Sequence, residues 1–147
     1  TDNDLLDDLN ARINAERGVV RTPEKIVKVE REVFRSEILN TTVSFIIDRS
    51  SITDIQMKNV AEVAKYIEEH PDVNIVITGY ADVKTAYPEY NMKLSKRRAE
   101  SVRDALVKNF KVDPSRLRID YKGDTVQPFE MKNEWNRVVI FLTEPRK

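Results

Sequence analysis

The chain of 147 residues contains no cysteine and a single histidine. Without cysteine it can form neither a disulfide nor a thiolate site, and one histidine is too few for the common zinc sites. His70 falls in the run Glu68-Glu69-His70-Pro71, where a solvent-facing histidine at a helix C-terminus is the simpler interpretation. We therefore predict neither a metal centre nor a cofactor.

The sequence also lacks an excess of charge of one sign and long apolar runs. Basic and acidic residues number 25 each, so no overall field attracts nucleic acid or an anionic membrane. The basic cluster at residues 93–98 is local and is followed by Glu100 and Asp104, which is typical of a solvated helix face. No apolar run reaches the length needed to cross a bilayer.

The N-terminal part of the chain is patterned differently from the rest. The chain begins at Thr1 rather than at methionine and shows no signal peptide, so we expect a fragment or processed product whose targeting signal and any anchor lie upstream. Helical apolar spacing between Asp4 and Arg17 predicts a short amphipathic helix, followed by a mixed-charge stretch. We assign residues 1–38 to a helical or linker extension and residues 39–147 to the main domain.

Strand and helix patterns alternate through the main domain. The capping-box sequence Thr53-x-x-Gln56 predicts one helix start, and Pro88 predicts the first turn of a long second helix that ends near Phe110. Strands are predicted at residues 41–47, 73–80, 117–121 and 137–142. The order β-α-β-α-β-β predicts an α/β (α+β) fold, a two-layer sandwich with a mixed four-stranded sheet and both helices on one face.

One arginine of the second helix lies on its apolar stripe. Arg98 comes four residues after Leu94 and four before Val102, whereas Arg97 falls on the polar side. An inward guanidinium needs a partner. Asp82 lies just beyond the second strand, at the strand ends where α/β folds usually bind ligands.

Two interpretations of this pair remain open on residue pattern alone. Asp82 and Arg98 can form an internal salt bridge that holds the loop, or they can flank a small cavity. A carboxylate and a guanidinium a few ångströms apart would complement a zwitterion such as the free end of an amino acid. Asn91, two turns before Arg98 on the same helix face, could add an amide contact.

Several separated motifs resemble the OmpA-like C-terminal peptidoglycan-binding domain, the family of OmpA, Pal and MotB. The matching blocks span roughly residues 39–143 and include Thr78-Gly79-Tyr80-Ala81-Asp82, Asn91-Met92-Lys93-Leu94-Ser95-Lys96-Arg97-Arg98-Ala99 and Asn136-Arg137-Val138-Val139. The resemblance implies that Asp82 and Arg98 hold the amino and carboxylate groups of diaminopimelate in the wall peptide. It also implies that Asn91, Leu94, Asn136 and Arg137 line or neighbour the same pocket.

The chain departs from the family pattern around this pocket. Ala81 stands where the family often has threonine, so a hydroxyl contact is lost there, and the loop from Asp82 to Asn91 is about one residue longer. Ile46 replaces an acidic residue, and Val138 replaces an arginine of the usual Asn-Arg-Arg.

The function that the resemblance implies is non-covalent anchoring to peptidoglycan in the periplasm, with the parent protein tethered to the outer membrane by a part that is absent here. No nucleic-acid partner is expected, and the oligomeric state is open. One alternative is a wall hydrolase using Asp48 and Asp82 as a carboxylate pair. The other is a protein-interaction module that has kept the fold and lost the ligand.

Overall fold

The computed structural model describes residues 35–146 and the single positions Leu5 and Asp7, both of which are helical. Arg35–Lys147 forms one compact unit. Apart from these two positions, the predicted helix of residues 4–17 and the stretch that follows it lie outside the described residues. The division predicted between residues 38 and 39 stays a prediction.

The described elements follow the predicted order. They are β1 (Val43–Ser44), α1 (Asp54–Glu69), β2 (Val73–Gly79), α2 (Pro88–Phe110), β3 (Leu117–Tyr121) and β4 (Val138–Pro145), with short 3₁₀ helices at Pro114–Arg116 and Asn133–Asn136. Within residues 35–146, neither helix is both long and apolar enough to cross a membrane.

The strands form one mixed four-stranded sheet in the order β1-β4-β2-β3. β2 runs parallel to β3, and β4 runs antiparallel to both β1 and β2. The end of β2 is therefore central, with Gly79 opposite Val139 of β4 and Tyr121 of β3. This register brings the residues that follow β2 next to the start of β4, although the two segments are far apart in sequence.

Both helices pack against one face of the sheet around a common apolar core. The core draws on every layer, including Val60, Val63 and Ile67 of α1, Val102 and Leu106 of α2, Ile75 and Ile77 of β2, and Phe141 of β4. The sheet positions alternate, as a strand with one helix-facing side requires. The predicted two-layer sandwich is confirmed.

The helix boundaries follow local signals in the sequence. The Thr53 side chain accepts a hydrogen bond from the Gln56 backbone N–H at 3.3 Å and so caps α1. The Gln56 side chain does not complete the reciprocal box but accepts from the Ser44 backbone N–H at 2.9 Å, which ties α1 to β1. Pro88 opens α2, and Lys111 ends it in a left-handed conformation.

The first strand is shorter than predicted. The apolar run at residues 41–47 predicts a buried strand, but β1 covers only Val43–Ser44, and Ile46 and Ile47 are exposed. The chain turns after Phe45, since Arg49 N–H donates to the Ile46 carbonyl at 3.1 Å and Asp48 takes a positive φ of 56°. A run of apolar residues cannot reveal such a turn, because it reports hydrophobicity and not backbone direction.

Gly79 allows α2 to approach the sheet closely. A Cβ placed on Gly79 would lie 2.0 Å from the Ser95 carbonyl oxygen of α2, a contact that no side chain can make. The Ser95 hydroxyl also accepts from the Gly123 N–H at 2.8 Å. The close contact holds the middle of α2 against the end of β2, where the candidate site lies.

Candidate functional site

Arg98 lies on the buried face of α2, as the helical periodicity predicts. Its side chain is 0% exposed, whereas the neighbouring Arg97 is exposed. The guanidinium donates to three backbone carbonyls: Arg49 at 2.9 Å, Tyr80 at 3.0 Å and Ile46 at 3.3 Å. It also lies 5.3 Å from the centre of the Phe45 ring, within cation–π range. Arg98 thus joins the turn after β1 to the end of β2.

The guanidinium of Arg98 is buried away from water, which disfavours its charged form. Burial lowers its pKa to about 10, and the negative charge of Asp82 opposes that change. The group stays protonated at neutral pH. A guanidinium carries five N–H donors, and two of those of Arg98 have no acceptor among residues 35–146 after the three carbonyl contacts are counted.

Asp82 follows β2 and is 1% exposed. Its Oδ2 accepts from Arg137 Nε at 2.8 Å and from the Thr85 hydroxyl, and its Oδ1 accepts from Asn133 Nδ2 at 3.0 Å. One of the two interpretations of the sequence was an internal salt bridge between Asp82 and Arg98. That interpretation named the wrong partner for Asp82. Within the described residues, Asp82 pairs with Arg137, which the β2–β4 register brings beside it.

The hydrogen bonds to Asp82 decide its protonation. Burial acts to raise the pKa of its carboxyl group, but the hydrogen bonds from Thr85, Arg137 and Asn133 and the charge of Arg137 outweigh burial. The net effect is a pKa below the ordinary value, so the carboxylate is ionised at neutral pH. The site therefore presents a buried anion and a buried cation at the same end of β2.

The loop after Asp82 is fixed from two sides. Asn91 is fully buried, and its Nδ2 donates to the Ala86 carbonyl at 3.1 Å and to Asp124 at 2.9 Å. Gln127 accepts from the Val83 N–H at 3.1 Å. These contacts hold the loop and involve neither the Asp82 carboxylate nor the Arg98 guanidinium. The Asn91 Oδ1 is buried and has no partner among the described residues.

Residues 44–139 match the model of the OmpA family. The chain belongs to the OmpA family. This confirms the family that the sequence motifs predicted.

Relatives and solved structures agree with this membership. The chain is 34% identical to Outer membrane protein 41 of Porphyromonas gingivalis, over 92% of this chain and 36% of that protein. It is 37% identical to Outer membrane protein 40 of the same organism, over 92% and 37% respectively. The chain thus spans about a third of the length of these relatives. The peptidoglycan-associated lipoprotein of Burkholderia pseudomallei matches with a TM-score of 0.64 at 27% identity, covering 71% of this chain and 91% of that one.

The other positions singled out by the OmpA-family resemblance lie around the two charges in different roles. Leu94 is 2% exposed on the inner face of α2. Asn136 is also buried, and its side chain accepts from the Phe129 N–H at 2.7 Å and donates to the Phe129 carbonyl at 2.9 Å. Arg137 alone of these contacts the Asp82 carboxylate, and its side chain is 21% exposed. Asn91 reaches only the Asp82 backbone carbonyl, to which its Nδ2 donates at 3.4 Å.

Sequence reasoning missed three residues that build the site of this OmpA-family domain: Thr85, Asn133 and Gln127. Thr85 and Asn133 donate to Asp82, and Gln127 donates to the Ala81 carbonyl at 2.9 Å. All three lie in loops or in a one-turn 3₁₀ helix, where no hydrophobic period exists. The one available signal was the loss of a hydroxyl at Ala81 followed by a hydroxyl at Thr85.

Proposed function

We propose that this domain binds peptidoglycan non-covalently through the diaminopimelate group of the stem peptide. Asp82 takes the ammonium group of that zwitterion, and Arg98 takes its carboxylate. The observation that carries the proposal is the burial of two opposite charges at one end of β2, with Asp82 1% exposed and Arg98 0% exposed. Buried charges are expensive unless a partner compensates them. Asp82 has Arg137 as its partner, whereas the acceptors of Arg98 among the described residues are neutral backbone carbonyls.

Both groups keep hydrogen-bonding capacity for a ligand. A carboxylate accepts at about four positions, and donors from the described residues occupy three of those of Asp82, which leaves about one position, on Oδ1. The two remaining donors of Arg98, one on each terminal nitrogen, suit a carboxylate held at two points. The arrangement therefore fits a cation and an anion on one small molecule.

Ligand entry requires displacement, because both charges are covered. Arg137 is the charged donor to Asp82, and 21% of its side chain is exposed. An incoming ammonium group takes the remaining position on Oδ1, and its charge weakens the hold of Arg137 on Oδ2. The released guanidinium can then meet a carboxylate of the ligand. Asn91, Leu94 and Asn136 keep the surrounding loops and helix in place.

The names of similar proteins support a proposal for the location. Two similar proteins are named as outer membrane proteins, and a similar structure is named as a peptidoglycan-associated lipoprotein. We place this domain in the periplasm, tethered to the outer membrane by a part of the parent protein outside this chain. Its role there is to link that membrane to the cell wall.

Co-sedimentation with purified peptidoglycan sacculi tests this function. We expect the wild-type chain to sediment with sacculi and Asp82→Asn to remain in the supernatant. The Asp104→Asn variant, which changes an exposed aspartate of α2, is the matched control and should sediment normally. Binding should weaken at high salt, because the ligand contacts are ionic. Equal sedimentation of wild type and Asp82→Asn would remove Asp82 from the site, and no sedimentation at all would favour a protein-interaction module.

A wall hydrolase is the alternative that the same experiment addresses. The acid of a glycosidase pair needs a raised pKa to stay protonated, whereas the pKa of Asp82 is lowered. The Asp48 carboxylate accepts a hydrogen bond from the Tyr90 hydroxyl, which gives it a role in holding the turn after β1. Release of soluble fragments from the sacculi would support the hydrolase; sedimentation without release supports a binder.

A further inference from the structure

The loop after β2 folds back on its own first residue. The Thr85 N–H donates to the Asp82 carbonyl at 3.4 Å, and the Thr85 hydroxyl donates to the Asp82 side chain at Oδ2. Residues 82–85 therefore form a turn that is closed through both the backbone and the side chain. Ala81, on the other side of Asp82, offers no hydroxyl.

The position of Thr85 is set by its neighbours and not by Asp82 alone. The next residue, Ala86, is held through its carbonyl by Asn91, and Val83 is held through its N–H by Gln127. Anchors on both sides of Thr85 limit where its hydroxyl can point. A donor fixed in this way can orient the carboxylate that it binds.

The donors divide the two oxygens of Asp82 between them. Oδ2 accepts from Thr85 and Arg137, whereas Oδ1 accepts from Asn133 only. A hydroxyl holds Oδ2 without adding a positive charge, so it does not repel an incoming ammonium group as a cationic donor does. The Thr85 contact does not pass through Arg137, so we expect it to remain when Arg137 is displaced.

We propose that Thr85 is a positioning residue of the ligand site. Its hydroxyl holds Oδ2 of Asp82, so that Oδ1 faces the ammonium group. This inference rests on the proposed function, because it assumes that a ligand cation binds Asp82. It goes further by assigning a positioning role to a loop residue that acts on the ligand only through Asp82.

Two substitutions of Thr85 test the proposal. Thr85→Val keeps the shape and the backbone turn and removes the hydroxyl, whereas Thr85→Ser restores a hydroxyl. In Thr85→Val we expect the affinity for diaminopimelate to fall about tenfold, the lower end of the value of one hydrogen bond to a charged group, because the hydroxyl acts on the ligand only through Asp82. We also expect the pKa of the Asp82 carboxyl group, followed by NMR titration, to rise towards its ordinary value. Thr85→Ser should bring both quantities back.

The matched control is Thr41→Val. The Thr41 hydroxyl also donates to a carboxylate, that of Glu62 at 3.1 Å, but on the exposed surface of another part of the domain. It should change neither the affinity nor the pKa of Asp82. Unchanged affinity and unchanged pKa in Thr85→Val, with wild type binding normally, would overturn the role of Thr85 alone. Absence of binding by wild type would instead overturn the proposed function, and the role of Thr85 with it.

Discussion

Replacing Arg98 by methionine should destabilise the domain even when no ligand is present. The substitution keeps an unbranched side chain of comparable length but removes every donor. The carbonyls of Arg49 and Tyr80 then lose their hydrogen bonds from the guanidinium. The carbonyl of Ile46 keeps a second donor, the Arg49 N–H at 3.1 Å.

The magnitude follows from these contacts. The buried Tyr80 carbonyl costs about 1–3 kcal/mol when it loses its donor. The Arg49 carbonyl costs less, because its hydrogen bond is only partly buried and water can replace the donor. Removing a buried charge offsets part of this loss of stability, because the guanidinium no longer has to be desolvated. We therefore expect the free energy of unfolding to fall by about 1–3 kcal/mol in Arg98→Met.

Urea unfolding measures this change. The fluorescence of Trp135, the one tryptophan of the chain, reports the transition, and the slope of free energy against urea should stay unchanged. Arg97→Met is the matched control, since Arg97 is exposed on the same helix. The control should stay within about 0.5 kcal/mol of wild type. A loss as small as that in Arg98→Met would refute the view that Arg98 holds the loops together.

Three further predictions concern the frame of the site. Gly79→Ala should destabilise the domain by about 1–3 kcal/mol or more in urea unfolding, because the new methyl group meets the Ser95 carbonyl; wild-type stability would contradict the close packing. Asn136→Ala should lower the free energy of unfolding by about 1–3 kcal/mol in the same assay, whereas Asn40→Ala on the exposed surface should change it little. Equal effects of the two substitutions would argue against the buried contacts of Asn136. Asp82 has a lowered pKa, so its ionised form stabilises the fold above the ordinary aspartate pKa of about 3.9, and that contribution is lost as the pH falls through the lower folded value. The stability difference between wild type and Asp82→Asn should therefore be larger at neutral pH than at acid pH, and a constant difference would contradict the assigned shift.

The sequence predicted the helices better than the strands. Pro88 marks the start of α2, and the Asp113-Pro114 turn follows its end, so both bounds agree with the structure. The first strand was predicted too long, because Ile46 and Ile47 are apolar but lie in a turn. Local signals such as prolines and caps fix helix ends, whereas a turn that depends on a distant arginine leaves no local mark.

The sequence also predicted only part of the candidate site. Helical periodicity identified Arg98 as buried, because one helix contains the whole pattern. The pairing of Asp82 with Arg137 depends on the antiparallel register of β2 and β4, which joins residues 55 positions apart in sequence. The donors Thr85 and Asn133 lie in irregular segments. Their contacts with Asp82 arise from the path of the chain and not from any repeat in it.

The contacts of Arg98 affect how its variants can be used. Because Arg98 binds backbone carbonyls from two parts of the chain, a loss of ligand binding in an Arg98 variant mixes stability with recognition. Asp82→Asn is the cleaner change for recognition, since asparagine has nearly the same shape and leaves the carbonyl contacts of Arg98 in place. It removes the charge and replaces one accepting oxygen by an NH2 donor, so its stability is measured alongside binding.

Calorimetric titration of the wild-type chain and of Asp82→Asn with diaminopimelate tests the central claim most directly. The claim predicts saturable binding of one molecule by the wild-type chain and no measurable binding by Asp82→Asn, with both proteins folded by circular dichroism. Absence of binding by the wild type, or equal binding by both proteins, would contradict it.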